Sequence, residues 1–129
     1  WNSITWVRMT ENVNEDAYLY YFSHRPPGPR QNELGAYHAA EIAYAFNNPE
    51  HLRNQATADD QQIADIMSDY WVNFARSGNP NGAGLPRWRP YTKSEPHYVE
   101  LNVSAQPEVN ISPAAWDFFD KIQERLRSN

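Results

Sequence analysis

The run Ala17-Tyr18-Leu19-Tyr20-Tyr21-Phe22 limits what this chain can fold into more than any other stretch. Its residues are apolar at consecutive rather than alternate positions, which predicts a strand covered on both faces, as in a parallel sheet flanked by helices. Asn14-Glu15-Asp16 bounds it on one side. On the other stands Ser23-His24-Arg25-Pro26-Pro27-Gly28-Pro29, where prolines remove donors and fix the backbone. Such a strand needs neighbours, and the chain offers no second run of similar apolarity. The neighbours are expected from elsewhere.

The remaining elements are few. Residues 58–77 form the clearest helix, with Ile63, Ile66, Met67, Tyr70, Trp71, Phe74 and Ala75 recurring at three- and four-residue spacing. Thr57 with Asp60 has the form of a capping box, and Gly78 supplies a left-handed stop before Asn79-Pro80-Asn81-Gly82. Residues 78–96 then read as a long irregular loop. Residues 98–103 alternate, with Val99, Leu101 and Val103 on one side, and predict a half-buried strand at a sheet edge. A last helix begins at Ser112 as cap with Pro113 following, and carries Ala115, Phe119, Ile122 and Leu126 on one face. The stretch up to Glu15 is polar and mixed, with Trp1, Trp6 and Val7 as its apolar anchors.

Composition removes several functions. A net charge of −5 leaves no cluster of Lys and Arg for nucleic acid. No apolar run approaches the roughly 20 residues of a membrane span, so a soluble protein is expected, with its compartment open. There are no cysteines, hence no disulfide framework and no Cys-type zinc site. Two sequons, Asn102-Val103-Ser104 and Asn110-Ile111-Ser112, read as chance matches. At 14% aromatic residues, the chain carries more ring surface than its size can bury, which points to contact with another segment or a ligand.

Four histidines are the candidates for chemistry. His24, His51 and His97 lie in a proline-rich loop, before the long helix and after a proline, and read as solvated. Their spacing suits no metal site, and none is expected. His38 differs: it sits within Leu34-Gly35-Ala36-Tyr37-His38-Ala39-Ala40-Glu41-Ile42, where small neighbours permit close approach of other segments. Glu41 adds a carboxylate three residues on. An imidazole so placed can accept a serine proton and return it to a leaving alcohol near neutral pH. Local capping or a salt bridge is the plainer use of Glu41.

The segment Gly35-Ala36-Tyr37-His38-Ala39-Ala40-Glu41-Ile42-Ala43-Tyr44-Ala45-Phe46 resembles the catalytic-histidine loop of type-B carboxylesterases and cholinesterases. The resemblance continues in order through Asp69-Tyr70-Trp71-Val72-Asn73-Phe74-Ala75-Arg76-Ser77-Gly78-Asn79-Pro80-Asn81, Leu85-Pro86-Arg87-Trp88, Val99-Glu100-Leu101-Asn102 and Trp116 to Phe119. It covers about residues 17–127. Three positions depart from the pattern. Ala39 stands where the family has glycine after the histidine, Asn47 where glycine often follows the phenylalanine, and Trp88-Arg89-Pro90-Tyr91 replaces a commoner Trp-Pro-x-Tyr.

The resemblance implies an α/β fold. Residues 1–129 would be the C-terminal part of an α/β-hydrolase domain, with one or two sheet strands and two main helices, incomplete by itself. It implies a serine hydrolase acting on small-molecule carboxylic esters without a cofactor, with His38 as the catalytic histidine and Glu41 as a carboxylate near the triad. No serine here has the Gly-x-Ser-x-Gly form of a nucleophile elbow, and the family's nucleophile, acid and oxyanion donors lie upstream of the matched portion. The partner is then the remainder of the esterase chain, and the segment alone is expected to be inactive. Two other readings stand beside this one: a non-catalytic adhesion relative of the same fold, and an independent aromatic-rich binding module.

Overall fold

The computed structural model describes residues 2–13, 15–52, 56–103, 105–109 and 113–128. Helix α1 (Asn2–Thr10) leads to strand β1 (Tyr20–Phe22). Two one-turn helices follow, α2 (Gln31–Leu34) and α3 (Ile42–Ala45), and then the long helix α4 (Ala58–Ser77). Strands β2 (His97–Leu101) and β3 (Ala105–Val109) and helix α5 (Pro113–Arg127) complete the order. The sheet runs β1-β2-β3, with β1 parallel to β2 and β2 antiparallel to β3.

Helix α4 forms where its local signals place it. The Thr57 hydroxyl accepts from the Asp60 backbone N–H while the Asp60 carboxylate accepts from the Thr57 N–H. At the other end Gly78 adopts φ 72, the left-handed conformation that glycine enters without a Cβ penalty, and its N–H donates to the Phe74 carbonyl. The inward face, Ile63, Ala64, Met67 and Tyr70, is fully buried against Tyr44, Trp88, Val99 and Leu101. Phe74, on the expected face, stays 47% exposed, in a T-shaped contact with Tyr18.

Trp88 is the knot of the structure. Its ring lies edge-on to Tyr18, Tyr20 and Tyr70, and its indole N–H donates to the Leu19 carbonyl at 3.0 Å. Asn81 grips its backbone from both sides, accepting from the Trp88 N–H at 2.7 Å and donating to its carbonyl at 2.8 Å. The stretch between Gly78 and Pro96 thus has no regular structure and is nevertheless held. The Tyr91 N–H adds a bond to the Ala17 carbonyl at 2.7 Å.

Three expectations need correction. The strand at 97–101 is central, not an edge: β3 pairs along its whole length, Val99 facing Pro107 and Leu101 facing Ala105. Pro107 masks β3 in the sequence, since proline cannot donate to a ladder, yet an edge strand tolerates it. Val103 falls in the turn between the two strands and is 37% exposed. The N-terminal stretch is helical, and its buried anchor is Ile4, packed with Leu19 and Tyr91, whereas Trp6 is 76% exposed. Trp1 and the Ser112 cap lie outside the described residues, as do Ser104 and the second sequon. Asn102 is exposed in the β2–β3 turn.

Strand β1 has β2 on one side and no strand on the other among the described residues. Tyr20 and Tyr21 are 36% and 49% exposed, so the most apolar run of the sequence is left half uncovered. The predicted face of α5 is likewise open, with Phe119 44% and Leu126 65% exposed. That helix is tied to α1 through Arg8, whose guanidinium meets the Asp120 carboxylate at 2.8 Å.

Candidate active site

The histidine loop is built from two tight turns. Gly35 ends α2 at φ 56, a left-handed value, and its N–H donates to the Gln31 carbonyl. A second turn runs from Tyr37 to Ala40, closed by the Ala40 N–H donating to the Tyr37 carbonyl at 3.0 Å. His38 occupies the second place of this turn and Ala39 the third, at φ 68. A positive φ at the third place is the signature of a type II turn, which favours glycine. The family's usual glycine and this backbone requirement thus coincide, and Ala39 meets it with strain. The only other non-glycine residue with positive φ among those described is Asn47, at φ 47. It stands at the second glycine departure noted in the sequence. Asparagine enters the left-handed region more readily than alanine, and here its amide bonds Gln61 and Asp65 of α4.

Ala39→Gly should therefore raise stability by about 1 kcal/mol, since an L-residue in the left-handed region costs roughly that much. A denaturant midpoint that stays put or falls would contradict the assignment of strain.

The His38 side chain is exposed and lines a groove whose walls are Trp6 and Val7 of α1, Leu19 with the β1 residues Tyr20 and Phe22, and Tyr37. Glu41 lines the same groove, and no hydrogen bond joins it to His38 among the described residues. Its charge is nevertheless felt: burial, and then the Glu41 carboxylate, push the Tyr20 phenol up. The loop is anchored beneath. Ala40 is 2% exposed, and the Glu41 carbonyl accepts from the N–H groups of Tyr44 and Ala45, opening α3.

Tyr44 carries this anchor into the core. Fully buried, it donates its hydroxyl to Asp60 Oδ1 at 2.7 Å, and His24 Nε2 meets the same oxygen at 2.8 Å. His24 is not solvated as the sequence suggests; it is 7% exposed. Nothing local marks it, because its partner is 36 residues away. His97 is half-buried, its ring 3.1 Å from the exposed Glu95 carboxylate, and His51 is exposed as expected. Among the described residues no group of three His, Cys, Asp or Glu side chains could hold a metal ion. No described helix is long and apolar enough to cross a membrane.

Burial alone would push the Asp60 carboxyl up. Donors from Thr57, Tyr44 and His24 outweigh it and hold the group below its ordinary value. A carboxyl that is more acidic folded than unfolded contributes stability at every pH above its unfolded value near 4, and loses it as pH falls through the folded value. Wild type should thus exceed Asp60→Asn in thermal midpoint at pH 7, with the gap shrinking as the buffer is taken below about pH 4. A gap that widens in acid would refute this.

The comparisons agree with this architecture. The carboxylesterase family profile matches residues 2–119. A medium-chain fatty acyl-CoA hydrolase precursor of Anas platyrhynchos is 32% identical over 126 residues, covering 95% of this chain and 22% of its own. An acetylcholinesterase of Gallus gallus is 40% identical over 87 residues, covering 66% of this chain and 11% of its own. Among solved structures, a polyester-hydrolysing esterase from Clostridium hathewayi superposes with a TM-score of 0.75 at 22% identity, over 89% of this chain and 23% of that one. A PNB esterase gives 0.69 at 24% identity, over 79% and 21%. The chain belongs to the carboxylesterase family and has part of the α/β-hydrolase fold. It spans about a fifth of the length of relatives such as the duck hydrolase.

Proposed function

We propose that residues 1–129 are the C-terminal segment of a single carboxylesterase domain, and that the segment supplies the histidine of a serine, acid and histidine triad. The observation that carries this reading is the setting of His38. It stands in a strained turn at a groove that it shares with residues of the parallel strand β1, inside the segment that bears the family's histidine motif. Strained backbone next to a reactive group is where functional sites concentrate.

The chemistry follows from one imidazole. His38 takes the serine proton as Oγ bonds to the ester carbonyl carbon, then gives it to the alkoxide as the carbon–oxygen bond breaks, leaving acyl-serine and free alcohol. In the second half it takes a proton from water as the water oxygen attacks the acyl carbon. It then returns that proton to Oγ as the carboxylic acid departs. The nucleophile, the triad acid and the oxyanion donors come from the remainder of the esterase chain, which is the segment's partner. Glu41 holds negative charge at the groove and so favours the imidazolium that forms in each half. The substrate is a small-molecule carboxylic ester; the relatives include a fatty acyl-CoA hydrolase and an acetylcholinesterase.

The test compares the 129-residue chain with the complete protein on p-nitrophenyl acetate. The complete protein should turn over, and the short chain should release p-nitrophenol no faster than free imidazole at equal concentration. Full activity from the short chain would overturn the proposal.

A further inference from the structure

We infer that Asp60, Tyr44 and His24 are positioning residues for the His38 imidazole, an inference that rests on the reading of His38 as the catalytic base. Asp60 is 1% exposed, and its two oxygens take four hydrogen bonds. Oδ1 accepts from Tyr44 and His24; Oδ2 accepts from the Thr57 N–H at 2.7 Å and the Thr57 hydroxyl at 2.6 Å. Capping α4 requires only the Thr57 pair. The other two bonds reach outward to Tyr44, in the segment that follows His38, and to His24, in the segment that follows β1.

His24 lies just past the end of β1, where its N–H and that of Ser23 both donate to the Leu101 carbonyl. Strand β1 supplies Tyr20 and Phe22 to the groove, next to Leu19 just before it. Tyr44 lies six residues after His38, in α3. A four-residue helix cannot hold itself in place, because nucleation costs more than one turn returns. Its position is set by what it packs against, and Tyr44 is its fully buried side chain, with Asn47 bonding α4 just beyond it. The three rings pack as a unit, with Phe22 to Tyr44 at 5.4 Å and His24 to Tyr44 at 5.2 Å between centroids. One buried carboxylate thus ties the loop carrying His38 to the strand that forms the opposite wall. Apolar side chains of equal volume would fill the space, but directional bonds fix the distance. A base displaced by 1 Å from its nucleophile costs on the order of 100-fold in rate.

The experiment uses the complete esterase and p-nitrophenyl acetate, with rates divided by the sites titrated with a fluorophosphonate, so that loss of folded protein drops out. Tyr44→Phe keeps the ring and removes only the hydroxyl; it should lower kcat per titrated site about tenfold with KM unchanged, and Asp60→Asn should lower it by up to about 100-fold. A purely structural role would reduce the number of titrated sites and leave kcat per site at the wild-type value, and that result in both variants overturns the inference. If Asp60→Asn yields no folded protein, Tyr44→Phe decides alone. His38→Ala, run beside them, separates the two proposals. Activity surviving in His38→Ala defeats the reading of His38, whereas activity lost in His38→Ala but intact per site in Tyr44→Phe and Asp60→Asn defeats only the positioning role.

Discussion

His38→Ala in the complete esterase is expected to lower kcat/KM for p-nitrophenyl acetate by about 10⁴-fold or more, with circular dichroism and thermal midpoint unchanged. The two halves of the expectation have separate causes. The chemical loss is expected to be large because in the proposed mechanism the same imidazole moves the proton in both acylation and deacylation, and no other histidine among the described residues lines the groove. The structural indifference follows from exposure: the His38 ring is on the surface of this segment, and the turn that carries it is closed by backbone atoms of Tyr37 and Ala40. A variant retaining a tenth of wild-type activity would remove His38 from the mechanism. A variant that unfolded would show that the side chain is structural.

The second large effect concerns stability. Trp88→Ala should cost about 3–5 kcal/mol, the range for deleting a buried aromatic ring from a packed core. Three losses combine. The indole buries its surface among Tyr18, Tyr20, Tyr70 and Trp71, it satisfies the Leu19 carbonyl, and it pins a loop with no regular structure of its own. The burial of Tyr70 in the same cluster is strong enough to push its phenol up to about 12. Trp88→Phe isolates one part: it keeps most of the apolar area, loses the indole N–H, and should cost about 1 kcal/mol beyond the change in volume. Urea midpoints measure both. A Trp88→Ala loss below about 1 kcal/mol, the size of an average substitution, would show that the loop is held by something else.

What could be read from the sequence follows the range of the interaction responsible. Helix α4 is legible to the residue, caps included, because Thr57, Asp60 and Gly78 act within a turn of the helix ends. The run at 17–22 is legible as a strand in want of neighbours, although only Tyr20–Phe22 enter the ladder; Ala17 and Leu19 give their carbonyls to Tyr91 and Trp88. Strand β3 is hidden by Pro107, and α1 by its polar, mixed sequence, Ile4 being buried through contact with Leu19 and Tyr91, which lie far along the chain. At the site, the histidine loop is visible as a motif, and its departures from glycine at Ala39 and Asn47 fall at the two non-glycine positions of positive φ among the described residues. The buried cluster beneath it is invisible, since His24, Tyr44 and Asp60 come from three segments and meet only in the fold. Of its members, Asp60 alone announces itself, as the carboxylate of a capping box, and that local role conceals the other two bonds.

The most direct measurement of the central claim is the rate at which a fluorophosphonate labels serine in the complete protein, with and without His38→Ala. Phosphonylation requires the hydroxyl to be activated by a neighbouring base and requires no substrate pocket to be known in advance. The account predicts rapid labelling of one serine outside residues 1–129 in the wild type and background labelling in the variant. Equal rates in the two proteins would contradict it.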